Sequence, residues 1–237
     1  MYVDGEGARP TGSSSGRQTA VDGFFRRLAS LPRTDEPPAP LRDLADAVSR
    51  LVLSGLAAMP GQATADDVSA VAASESFEAT LVASRTLGQS EQAHLEALME
   101  HLGHLAVELP RDAEAAALVG ALVPLTIRRL PVASVPPHLT ALPRLVRATA
   151  AMVRGLRADS STRPLIRMVP TMLSCAVERT WGADGASDSR NGGRPDAVEA
   201  LAIETRRLLA DPAACAKAYV RSRSADRRFH TASGESP

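Results

Sequence analysis

Apolar side chains return every third or fourth residue along most of the chain from Leu41 to Leu209, and no run of β-branched residues alternates with polar ones. That period matches the 3.6-residue turn of an α-helix and not the two-residue repeat of a strand, so the interior has to be built from helices. Leu41, Leu44, Val48, Leu51, Val52 and Leu56 make the first clear stripe, closed by Pro60 and Gly61. Thr64 with Asp66 and Asp67 opens a second helix, which Leu87 and Gly88 end. Ser90 is placed to cap a third, carrying Leu95, Leu98, Met99, Leu102, Leu105 and Leu109 and stopped by Pro110.

The pattern continues toward the C-terminus. Asp112 opens a helix that is apolar on nearly every side, with Pro124 expected to kink it. Leu142, Leu145, Val146, Met152, Val153 and Leu156 form the next stripe. Thr162 and Pro164 start another, interrupted by Pro170, where a kink or break is expected. Asp196 and Asp211-Pro212 each begin one of the last two helices. With a short opening helix around Phe24 and Leu28, the count reaches about eight or nine. The expected fold is therefore all-α, a single irregular helical bundle, with a short α-solenoid as the alternative. Residues 1–19 and 231–237 read as disordered tails around one helical domain spanning 20–230. A loop of Gly, Ser and Asp occupies 182–194.

Composition then removes whole classes of function. The longest uncharged run, Leu51 to Ala65, has 15 residues, short of a membrane span. The first 20 residues hold no apolar stretch of the kind a secretory signal needs, and two cysteines, Cys175 and Cys215, make neither a disulfide framework nor a metal motif. A bacterial-type cytoplasm is the expected compartment. The single lysine, Lys217, rules out a phosphate-binding loop, which needs Gly-Lys. Gly12 to Gly16 spells a nucleophile-elbow pattern but has no strand before it or helix after it. Counting a calcium loop from Asp188 to Glu199 puts Arg190 and Gly192 where oxygen ligands belong. No cofactor motif is present.

Charge is neutral overall and lopsided along the chain. Residues 35–114 carry 14 acids against 4 arginines, a net of −10, and residues 141–230 carry 9 acids against 16 basic residues, a net of +7. Either the two stretches neutralise each other inside the fold, or the basic one faces an acidic partner.

Three groups of residues carry chemistry. His101, His104 and Glu108 share one arc of their helix with His94, with Glu96 and Glu100 at its edge, and the trio is a candidate metal site. The leucines occupy the adjoining sector, so the same arc is also where a solvated surface belongs, and a plain surface face is the leading reading of it. Lys217, Arg221, Arg223, Arg227 and Arg228, flanked by Tyr219 and Phe229, form a candidate site for an anion or an acidic partner. Cys215, in the first turn after Asp211-Pro212, sits where a helix dipole favours a thiolate, whereas Cys175 reads as a small packing residue. With no catalytic spacing in the chain, the leading expectation is a non-enzymatic helical protein acting by self-association or contact with a protein partner. A metal- or ligand-binding bundle and nucleic-acid binding through the basic C-terminal helix are the alternatives.

Overall fold

The computed structural model describes residues 39–57, 88–130, 141–181 and 195–233. Both termini, the opening helix, the helix read at 64–87, the connection at 131–137 and the loop at 182–194 lie outside the described residues. Seven α-helices and one 3-10 helix make up nearly all of what is described, and the fold is an all-α bundle. In chain order they are α1 (Ala39–Ala57), α2 (Gln89–Glu108), α3 (Asp112–Arg128), α4 (Leu142–Arg157), the 3-10 helix (Arg163–Met168), α5 (Val169–Trp181), α6 (Ala197–Ala210) and α7 (Pro212–Ser233). None of the described helices is long and apolar enough to cross a membrane.

The centre is α4, whose Leu142, Leu145, Val146, Thr149, Met152, Val153 and Leu156 are all buried at steps of three and four. Helices α1 and α3 pack on it, α6 lies against α1, and α5 against α6. On the far side α2 packs against α3, the 3-10 helix and α7. One apolar cluster runs through every described helix, so a single core holds them together.

Local chemistry sets the ends. Gly88, not Ser90, precedes α2, and its N–H donates to Glu91 Oε2 at 3.0 Å. Arg111 precedes α3, and Asp112 is that helix's first residue instead of its cap. Asp196 N–H donates to Glu199 Oε2 at 3.2 Å at the start of α6. At α7, Asp211 Oδ1 accepts from the N–H groups of Ala213 and Ala214 at 2.9 and 3.0 Å, with Pro212 at the first helical position. Pro170 falls in the first turn of α5, where the missing N–H is harmless, and the break expected there appears as the change from 3-10 to α-helix at Val169. Helix α3 continues through Pro124.

The C-terminal carbonyls of α2 have no intrahelical partners, and two arginines from distant elements supply donors. Arg157 on α4 donates to the carbonyls of Ala106, Leu109 and Pro110 at 3.1, 3.0 and 3.2 Å, and also to Asp112. Arg163 donates to the carbonyls of Val107 and Leu109, both at 2.9 Å. Gly103 permits the close packing of α2 on α5, because a Cβ there would lie 2.8 Å from Pro170 Cγ.

Candidate functional site

The middle of the polar arc of α2 is not a wetted surface, because α7 packs along it, while His94 and Glu108 at its ends are exposed. Glu100 and His104 are 4% and 6% exposed. Opposite them, α7 turns Tyr219, Ser222, Ala225 and Asp226 inward. Asp226 is the centre of the junction. Its Oδ1 lies 3.0 Å from His101 Nδ1 and 3.8 Å from His230 Nε2, and its Oδ2 lies 3.6 Å from His104 Nδ1. Asp226 and His230 are four apart on α7, hence one above the other on the same helix face.

Aromatic contacts fix the imidazole of His101. Phe229 stacks on it with ring centres 4.4 Å apart and planes within 14°, and His230 meets it edge-on at 4.8 Å. Farther into the junction, His104 Nε2 is 3.0 Å from Ser222 Oγ, and Thr171 Oγ1 donates to Glu100 Oε1 at 3.5 Å. Arg167, only 3% exposed, donates to the Tyr219 hydroxyl at 3.3 Å and reaches Glu108 at 3.9 Å.

Burial dominates the protonation of the two innermost groups. Desolvation pushes the Glu100 carboxyl up to about 7, against a hydrogen bond from Ser222 and the positive charge of Arg221. Desolvation, helped by the Arg167 guanidinium, takes the His104 imidazole down to about 4, with Asp226 pulling the other way. His104 is therefore neutral at pH 7.

Of the expected metal trio, the structure brings His101 and His104 to one place and separates Glu108. That carboxylate is 59% exposed and faces Arg167. The three donors that converge are His101, Asp226 and His230, whose ligand atoms all lie within 4.8 Å of one another. The Asp-x-x-x-His spacing at 226–230 was the available signal, but only long-range folding brings it to α2.

The expected cationic group divides. Lys217, Arg221, Arg227 and Arg228 are exposed, with Val220, Ser224 and Thr231 between them, all within an arc of about 120° at 100° per residue. Arg221 lies 3.5 Å from Glu96, while Lys217, Arg227 and Arg228 face no carboxylate among the described residues. Arg223 lies outside this arc and is half-buried. Both flanking aromatics turn away from it, Tyr219 into the core and Phe229 onto His101.

Neither thiol sits where a thiolate is favoured. Cys215 is buried and burial pushes its thiol up to about 12, so it is a packing residue and no thiolate forms there. Cys175 is the exposed one, its thiol raised by partial burial and by the nearby acids Glu204 and Glu178. Glu199, twelfth in the calcium-loop count, caps α6.

The chain matches no known family model, no curated protein and no solved structure.

Proposed function

We propose that this chain is a non-enzymatic helical interaction protein that docks an acidic protein partner on the outward face of α7. The observation that carries the reading is one exposed helix face holding Lys217, Arg221, Arg227 and Arg228 with no acidic residue among them and Val220 68% exposed in their midst. Three of those cations lack a carboxylate within the described fold, so their charge is available to a partner. An exposed valine amid cations suits an acidic amphipathic helix, whose apolar residues bury Val220 while its carboxylates meet the rim. Stacking of unpaired nucleic-acid bases would instead need an aromatic surface, and Tyr219 and Phe229 are both committed elsewhere. Two free thiols, one of them exposed, fit a reducing cytoplasm.

The test uses two fluorescent probes of equal net charge, a Glu/Leu amphipathic helical peptide and a single-stranded DNA oligonucleotide, in anisotropy titrations. Peptide binding that weakens at least tenfold in Arg227→Glu/Arg228→Glu and falls measurably in Val220→Ser supports the reading. Preference for the DNA probe, or peptide binding indifferent to all three substitutions, overturns it.

A further inference from the structure

We propose that His101 Nδ1, Asp226 Oδ1 and His230 Nε2 are three ligands of a divalent first-row transition metal, with a fourth position left for water. The site lies on the inner side of the α2–α7 junction and is independent of the outward face of α7.

Geometry is the first support. The donors already lie within 4.8 Å of one another, and Asp226 Oδ1 is 3.0 and 3.8 Å from the two nitrogens. Tetrahedral ligands held about 2.0–2.1 Å from zinc sit roughly 3.4 Å apart, so the two pairs that include His230 have to draw together. His230, three residues from the end of α7, is the ligand with room to move. Chemistry is the second support. Two imidazoles and one carboxylate suit zinc, cobalt, nickel or ferrous iron, whereas calcium and magnesium prefer all-oxygen shells and copper(I) prefers sulfur. Ligands also have to be held in orientation, and one aromatic contact does this. Phe229 stacked at 4.4 Å fixes the plane of the His101 ring.

The substitution of donors relative to the arc of α2 follows directly. Glu108, one turn beyond His104 on the same helix, is drawn off by Arg167, and Asp226 from α7 supplies the carboxylate in its place.

The experiment takes the full, untagged chain and titrates Zn²⁺ against a chromophoric chelator, with Co²⁺ absorption as a second readout of coordination. The expected result is one metal per chain, bound at least tenfold more weakly by His230→Gln and by Asp226→Asn, with His94→Ala unchanged. His230→Gln is the variant least able to perturb folding, and circular dichroism confirms that each variant is folded. Absence of saturable one-to-one binding by the folded parent chain overturns the proposal, as does a loss in His94→Ala equal to that in His230→Gln.

Discussion

Glu100→Gln isolates one buried charge. The folded chain holds the Glu100 proton up to about pH 7, whereas the same carboxyl loses it near 4.5 when solvated. Between those values the folded state binds more protons than the unfolded state, so this group's contribution to stability falls as pH rises through the window. At about 1.4 kcal/mol per decade of proton concentration the full penalty is about 3 kcal/mol, of which about 1 is present at pH 5 and about 2 at pH 6. The amide introduced by Glu100→Gln keeps an acceptor for Thr171 and Ser222 but cannot ionise. The stability difference between Glu100→Gln and the parent therefore grows in favour of the variant from pH 4.5 to pH 8 by about 3 kcal/mol, whatever constant offset the amide introduces. Equilibrium urea unfolding at fixed pH measures it, with equal m-values as the control. Titrating groups that do not interact with Glu100 are common to both proteins and cancel in the difference. His104 makes the parent's own profile uninformative, because its imidazole is depressed to about 4 from 6.5. Its contribution is full above pH 6.5 and is lost as pH falls toward 4, the opposite slope across nearly the same range. A difference that stays constant from pH 4.5 to 8 would refute the burial argument for Glu100.

Two further results are expected. Arg157→Ala strips donors from the carbonyls of Ala106, Leu109 and Pro110 and lowers unfolding stability by about 3 kcal/mol; Arg157→Lys recovers less than half because an ammonium cannot reproduce the fork, and a loss under about 1 kcal/mol in Arg157→Ala would show that water serves those carbonyls as well. In thiol titration with a disulfide reagent, Cys175 reacts in the native protein and Cys215 only on unfolding, and equal native rates would contradict their placement.

Helices could be read from the sequence because their evidence is local. The stripe from Leu142 to Leu156 becomes the buried face of α4 residue for residue, since a period of three and four leaves no other face to bury. Helix starts were legible to within a residue or two: Asp196 and Asp211 cap as expected, while Gly88 and Arg111 displaced Ser90 and Asp112. The site was legible only in part. Sharing an arc places His101, His104 and Glu108 near each other on α2, but what covers that arc depends on α7, more than 100 residues away in the chain. Without that contact Glu100 reads as a surface acid and Asp226 as one acid in a basic stretch. The protonation of Cys215 was not legible for the same reason, because a helix dipole is read locally while desolvation depends on the whole fold.

The lopsided charge of the chain divides into a part settled within the fold and a part that remains outside it. Asp46 pairs with Arg206 at 2.6 Å, Glu96 with Arg221 at 3.5 Å, Glu108 with Arg167 at 3.9 Å, and Asp112 with Arg157. Each pair joins an acid of 35–114 to a cation of 141–230, so the two stretches neutralise each other where their helices meet. With at least one partner solvated in each, these pairs contribute roughly 1 kcal/mol or less apiece as Coulombic attraction. Their consequence is a matter of distribution: the acids of α2 and the start of α3 are drawn to the basic elements packed beside them, and no described acid reaches Lys217, Arg227 or Arg228. Helix α7 thus carries an inner face where histidines surround Asp226 and an outer face of uncompensated cations, and substitutions on one face should leave the other's binding intact.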